Sequence, residues 1–183
     1  SFWTHPAAAM PPATRKPARP RQPKATATQV REPAEIAYGS ALGFEAFVQR
    51  VSGATPMELV LTERAGVQAR LIKDLARHLG MPASRLFAIL GVAKATAEKK
   101  VAAGETIGGQ GGHAVLGLVR LLGMARALVA NSTAVAAAEV DAAKWLGRWL
   151  EIPQPSLGGR RPAELLDTPT GVEIVSRVLG AIE

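Results

Sequence analysis

Residues 145–183 read WLGRWLEIPQPSLGGRRPAELLDTPTGVEIVSRVLGAIE, and this stretch determines how the rest of the chain is interpreted. Pro153 and Pro155 prevent a helix from continuing, so the helix that carries two tryptophans is predicted to end just before them. Gly158 and Gly159 can adopt positive φ and turn the chain sharply. The stretch therefore predicts short helices joined by fixed turns, and no residue in it indicates catalysis.

The end of this stretch predicts a terminal amphipathic helix. Two N-cap positions fit equally well: Thr170, with Glu173 three residues later as in a capping box, and Thr168, which precedes Pro169. Pro162 suits the first position of another short helix. The apolar positions at helical spacing, which predict the buried face, are Val172, Val175, Val178 or Leu179, and Ile182.

Taken in order, these features resemble the toxin-binding domain of the Xre/MbcA/ParS antitoxins. The resemblance rests on Trp-Leu, a gap with prolines, Leu-Gly-Gly-Arg-Arg-Pro at 157–162, Glu-Leu-Leu, Asp-Thr, a following Gly and a Val-rich closing helix. It covers roughly residues 131–183, and weaker similarity reaches back to about residue 43. The alternative is that Gly-Gly-Arg-Arg-Pro is only a loop and helix start in another all-helical domain.

The resemblance implies an antitoxin that binds a partner toxin, in many systems a RES-domain enzyme. Such toxins have an ADP-ribosyltransferase-like fold and either consume NAD or transfer ADP-ribose from it. The C-terminal domain would therefore neutralise them by covering the NAD pocket. Arginine suits this contact because its planar guanidinium forms paired hydrogen bonds with pyrophosphate or carboxylate groups. The residues assigned to the toxin contact are Trp149, Leu157, Gly158, Gly159, Arg160, Arg161, Arg177, Ile182 and Glu183.

Two of these assignments have an alternative. Arg160 and Arg161 fit equally a solvated loop or an internal link to Glu164 or Asp167. The resemblance further implies a homodimer within a larger toxin–antitoxin complex, and repression of its own operon by binding operator DNA.

Composition and charge limit the class of protein. The 183-residue chain has no cysteine, and its abundant Ala and Leu favour helices, so an all-α fold is predicted. No run of eighteen apolar residues predicts a membrane span, and a reducing cytoplasm fits the absence of cysteine. The net charge is +7, but six basic residues precede Glu32, leaving 16 basic and 15 acidic residues from there onward.

The N-terminal residues 1–34 are rich in Pro, Ala and basic residues and lack any periodicity, which predicts disorder. Two interpretations stay open. The segment is either a basic arm that adds non-specific phosphate contacts to a DNA-binding domain, or a solvated leader without a function of its own.

Residues 35–130 predict a helical domain that contains a helix-turn-helix over 67–104. Glycines at 80, 91 and 104 separate three helical patterns, the first beginning at Val67, which resembles the Cro/repressor-type motif of Xre-like antitoxins. Ala93 stands where a Ser or Thr cap is expected, and the outer face of the last helix offers no Arg, Asn or Gln for base readout. The residues assigned to DNA, mainly as phosphate contacts, are Lys94, Thr96, Lys99 and Lys100. The alternative is a scaffold or dimer interface.

The remaining segments complete the prediction. Residues 105–113 are Gly-rich and are interpreted as a flexible linker, with His113 at a helix start. A helix is predicted over 114–130, and another over 134–150, with Trp145 in the core and Trp149 open to either core or partner. The third domain, 131–183, is the toxin-binding domain.

No nucleophile, phosphate loop, metal cluster or cofactor motif is evident, so the chain is predicted to be a binding protein rather than an enzyme. Two other functions remain open at this point. One is a dimeric helix-turn-helix regulator without a toxin partner, and the other is a localisation adaptor.

Overall fold

The structure is a computed structural model that describes residues 9–10, 12–15, 17–18, 31–132 and 140–182. The described residues up to 18 have no regular secondary structure, and most of the predicted disordered segment lies outside the described residues. From Glu32 onward the chain forms one compact unit.

The compact unit is almost entirely helical, which confirms the predicted all-α fold. Its elements are α1 (Phe44–Ser52), α2 (Pro56–Ala65), β1 (Val67–Gln68), α3 (Arg70–Leu79), α4 (Ala83–Leu90), α5 (Lys94–Ala103), β2 (Thr106–Ile107), α6 (Gly109–Asn131), α7 (Ala142–Trp149) and α8 (Pro169–Gly180). Two 3-10 turns, Pro155–Leu157 and Pro162–Leu165, lie between α7 and α8.

Helix α6 is the centre of the unit and packs against α1, α2, α7 and α8. Apolar residues at helical spacing face the core, with Val115, Leu118, Leu122 and Ala125 all at 0% exposure, whereas Val129 near the helix end is only partly buried. By length and composition this 23-residue helix is apolar enough to cross a membrane, but half of its most apolar window is buried inside the fold. That is the behaviour of a core helix, so the length and composition of α6 are weak evidence for a membrane span.

The Gly-rich segment is not a flexible linker, so that prediction is wrong. Thr106 and Ile107 pair with β1 in an antiparallel two-stranded sheet, and α6 begins directly afterwards at Gly109. A Cβ on Gly112 would lie 2.6 Å from the carbonyl oxygen of Ile107. The glycine therefore serves close packing between β2 and α6. His113 lies in the second turn of α6, with Nδ1 3.3 Å from the carboxylate of Glu63.

Two helix starts also differ from their predicted positions. Val67 lies in β1, and α3 begins at Arg70. Helix α7 begins at Ala142 with Asp141 as its N-cap, since the Asp141 side chain accepts a hydrogen bond from the Lys144 backbone N–H at 3.1 Å. Residues 133–139, where the predicted earlier start falls, lie outside the described residues.

The segment that leads into α1 is non-helical but firmly attached. Ile36 is 4% exposed, and its backbone N–H donates to the Thr62 hydroxyl at 2.8 Å. Tyr38 is also buried and donates its hydroxyl hydrogen to Asp74. Burial, followed by that hydrogen bond, raises the pKa of Tyr38 to about 12.

The two tryptophans of α7 stack with ring centroids 6.1 Å apart. Trp149 is 7% exposed and belongs to the core, whereas Trp145 is only partly buried against it. The sequence predicted Trp145 in the core and left Trp149 open to core or partner; the structure buries Trp149 in the core and leaves Trp145 only partly buried. Both still contribute to the same apolar cluster.

Candidate functional site

The segment after α7 folds into a closed turn, residues 154–161, which we call the arginine turn. The Gln154 backbone N–H donates to the Arg160 carbonyl at 3.0 Å, and the Gly159 N–H donates to the Gln154 carbonyl at 3.0 Å. Gly158 and Gly159 have φ values of 65° and 80°, a region that side chains with a Cβ rarely adopt. Because its ends are hydrogen-bonded to each other, this turn presents its side chains from a fixed backbone.

The two arginines of the turn have different surroundings. Arg160 is exposed and forms no ion pair with the described residues. Arg161 donates its backbone N–H to Glu164 Oε2 at 2.7 Å, and its Nη1 lies 3.3 Å from Glu151 Oε2. The internal link to Glu164, one of the alternatives for this pair, therefore applies to Arg161 and not to Arg160.

Glu151 connects the turn to the helix-turn-helix. Both of its carboxylate oxygens accept hydrogen bonds from Arg85 in α4, Nε to Oε1 at 2.8 Å and Nη2 to Oε2 at 3.0 Å. The pKa of Glu151 is lowered, mainly by the hydrogen bonds from Arg85. Burial raises this pKa, but the positive charges of Arg85 and Arg161 lower it further. This carboxylate is therefore held in its charged form.

Helix α8 begins at a hydrogen-bonded N-cap. Thr168 is the N-cap, and its hydroxyl accepts from the Gly171 N–H at 3.0 Å, so the second of the two possible caps is the one used. Val172, Val175 and Leu179 are buried, as predicted, whereas Ile182, assigned to the same face, is only partly buried. The opposite side, residues 173, 174 and 177, is exposed, and we call it the outer face of α8.

The helix-turn-helix consists of α4, a turn at Gly91 with φ 69°, and α5. On α5, Lys94, Thr96 and Lys99 are exposed, whereas Lys100 is half-buried and donates to the Thr106 carbonyl at 3.2 Å. Glu98 on α5 also forms an ion pair of 2.7 Å with Lys73 on α3.

Comparison with known proteins identifies both parts of the chain. Residues 58–107 match the antitoxin Xre-like helix-turn-helix domain, and residues 125–183 match the antitoxin Xre/MbcA/ParS C-terminal toxin-binding domain. A Prs ADP-ribosylating antitoxin of Sphingobium sp. (strain YBL2) is 34% identical over 130 residues, which cover 71% of this chain and 80% of the relative. The chain belongs to the Xre/MbcA/ParS antitoxin family. This antitoxin is therefore a regulatory binding protein and not an enzyme, and the resemblance recognised in the sequence is confirmed.

The residues assigned to the toxin contact fall into three groups in the antitoxin. Gly158, Gly159 and Arg160 are exposed in the arginine turn, and Arg177 is exposed on α8, where it pairs with Glu173. Trp149 and Leu157 are buried, at 7% and 8% exposure, so little of either side chain is open to a partner. Arg161 and Ile182 are intermediate, and Glu183 lies outside the described residues.

Sequence reasoning missed two apolar side chains of the antitoxin that reach solvent. Ile152, between the end of α7 and the arginine turn, is 52% exposed, and Ile174 on the outer face of α8 is 38% exposed. Both carried a weak signal, because Ile152 precedes a proline and Ile174 lies off the Val172–Val175–Leu179 stripe. Large apolar side chains and arginines are both typical of the central part of protein interfaces.

Proposed function

We propose that this antitoxin neutralises a RES-domain, NAD-consuming toxin by covering the NAD pocket with the arginine turn and the outer face of α8. It also represses its own operon through α5, as a homodimer in the cytoplasm. The observation that carries the proposal is Arg160, exposed and without an ion pair among the described residues, on a turn whose backbone is closed by hydrogen bonds and which the exposed Ile152 precedes in the chain.

A fixed turn favours tight binding to an active-site cleft. A flexible loop loses conformational entropy when it binds, and a turn that is already ordered loses less. Arg160 has no internal partner to give up among the described residues, so its guanidinium is available for two parallel hydrogen bonds to an acidic group. Ile152 and Ile174 add apolar area, which contributes about 25 cal/mol for each Å² removed from water.

The relative from Sphingobium supports the toxin class. Its name couples an antitoxin to ADP-ribosylation of Prs. ADP-ribosylation takes its ADP-ribose from NAD, so a toxin of that class has a pocket for a pyrophosphate, the kind of site in which a guanidinium is well placed. We extend this to the present antitoxin on the match of the C-terminal domain over residues 125–183.

The test is co-expression with the toxin gene next to the antitoxin gene, followed by purification of the complex and an assay of NAD consumption. We expect the antitoxin to co-purify and to abolish NAD consumption. Arg160→Glu should speed dissociation by about 30-fold, the effect of losing a contact that contributes roughly 2 kcal/mol. Arg64→Glu, an equal charge change on the exposed end of α2, should not.

The same experiment separates the other functions. An antitoxin that shifts promoter DNA but neither binds nor inhibits the neighbouring enzyme would be a helix-turn-helix regulator without a toxin. A complex in which NAD still reaches the toxin pocket would exclude the steric mechanism even if the two proteins bind.

A further inference from the structure

We infer that Arg85, a residue of the helix-turn-helix, is a positioning residue for the toxin contact: by occupying both oxygens of Glu151 it leaves Arg161 free to reach the toxin. This rests on the proposed function of the arginine turn. Nothing in the match to the two family domains assigns such a role, because Arg85 belongs to one domain and Arg161 to the other.

The two arginines bind the Glu151 carboxylate unequally. Arg85 approaches the carboxylate with two nitrogens, at 2.8 and 3.0 Å, in the paired arrangement that makes guanidinium–carboxylate hydrogen bonds strong. Arg161 reaches it with one nitrogen at 3.3 Å, on an oxygen that Arg85 already uses. Glu151 therefore holds Arg85 firmly and Arg161 only loosely.

The exposure of the three side chains fits this division. Arg85 and Arg161 are 39% and 43% exposed, and Glu151 is 31% exposed. The cluster thus lies at the surface, where a partner protein has access to the Arg161 guanidinium. Arg85 and Arg161 share the single carboxylate of Glu151, so one positive charge remains for an acidic group of the toxin. The other acidic contact of Arg161 is with Glu164, at the longer distance of 3.8 Å.

Removal of Arg85 reverses the division. Both oxygens of Glu151 would then lack Arg85, and Arg161 would be the only cation left to bind them. Arg161 would therefore form hydrogen bonds with both oxygens and withdraw from the surface. Its charge would be neutralised internally, and the toxin would lose a contact although the turn itself is intact. This loss depends on Arg161 being present, which is what distinguishes positioning from general support of the fold.

A double-mutant cycle on the full-length antitoxin, with dissociation of the co-purified toxin as the readout, tests this. Arg85→Ala should raise the dissociation rate about 5- to 10-fold in the otherwise unchanged antitoxin, and less than about 2-fold when Arg161→Ala is already present. Arg85→Lys should be intermediate, since one ammonium group cannot occupy both oxygens. Equal effects of Arg85→Ala in both backgrounds would overturn the inference.

Glu151→Gln provides a second variant in case Arg85→Ala folds poorly. It removes the carboxylate that pairs with Arg85 and Arg161, so we expect lower thermal stability with no increase in the dissociation rate. A residue with a merely structural role would show both changes together, and faster dissociation of Glu151→Gln would therefore contradict the inference.

The outcomes also separate this inference from the proposed function. If Arg160→Glu and Arg161→Ala both leave dissociation unchanged, the arginine turn is not the toxin contact and both proposals fail. If these two variants dissociate faster but Arg85→Ala acts independently of Arg161, only the role of Arg85 is excluded.

Discussion

Replacement of Gly171 by alanine tests the packing that fixes α8. A Cβ at this position would lie 1.6 Å from the Leu165 carbonyl oxygen and 3.0 Å from the Thr168 hydroxyl oxygen. Carbon atoms are in favourable contact at about 3.5–4.0 Å, so the overlap with the carbonyl is roughly 2 Å. The obstructing atom is backbone, in the 3-10 turn Pro162–Leu165, and no rotamer change removes it.

The magnitude follows from two contributions. Overpacking that side chains can partly relieve costs about 1–3 kcal/mol, and here the whole start of α8 must move, so we expect the upper end. The movement also breaks the hydrogen bond between Thr168 and the Gly171 N–H, and loss of an N-cap costs about 1 kcal/mol. The sum, about 4 kcal/mol, is a large part of the roughly 5–15 kcal/mol that stabilises a domain.

Urea unfolding followed by tryptophan fluorescence measures this loss, because Trp149 is buried and becomes exposed on unfolding. The matched control is Gly180→Ala at the other end of α8, where the new Cβ would make an ordinary contact of 3.5 Å with Met124. Alanine has the higher helix propensity, so this control should stabilise by up to about 1 kcal/mol. A Gly171→Ala antitoxin within about 0.5 kcal/mol of the unchanged protein would show that α8 does not pack as described.

Three further predictions concern other parts of the antitoxin. Because the folded-state pKa of Tyr38 is raised to about 12, its contribution to the free energy of unfolding is present below pH 10 and is lost as pH rises from about 10 to 12. The loss should reach roughly 2–3 kcal/mol, and Tyr38→Phe should remove this pH dependence in unfolding titrations. Thr168→Ala should cost about 1 kcal/mol in urea unfolding, whereas Thr170→Ala, at an exposed position one residue after Pro169, should cost less than about 0.5 kcal/mol. Lys94→Ala with Lys99→Ala should weaken operator binding and lower the slope of log K against log salt by about 2, and an unchanged slope would remove α5 from the DNA contact.

Short-range signals in the sequence were dependable. The three glycines predicted to separate helices do so, since Gly80, Gly91 and Gly104 are the C-caps of α3, α4 and α5. Pro162 also takes the first position of a short helical turn, Pro162–Leu165, as predicted. Such features depend on backbone preferences of a few neighbouring residues, which sequence expresses directly.

Long-range pairing was the part that sequence did not reveal. The sheet between Val67–Gln68 and Thr106–Ile107 is too short to show periodicity, and its register depends on segments almost forty residues apart. For the same reason glycines at the start of α6 looked like a linker. Their function became visible only when Ile107 was seen packed against Gly112.

For the candidate site, the amino-acid sequence alone determined the turn: two glycines able to adopt positive φ, prolines that stop the helices, and a Thr-Pro helix start are local properties. The tertiary structure decided how each arginine is surrounded. Arg160 and Arg161 are adjacent and chemically identical, and they differ because Glu151, which also binds Arg85 from 66 residues away, forms an ion pair with Arg161 and none with Arg160. Electrostatic interactions act through distance in space, and that distance is set by the packing of the whole fold.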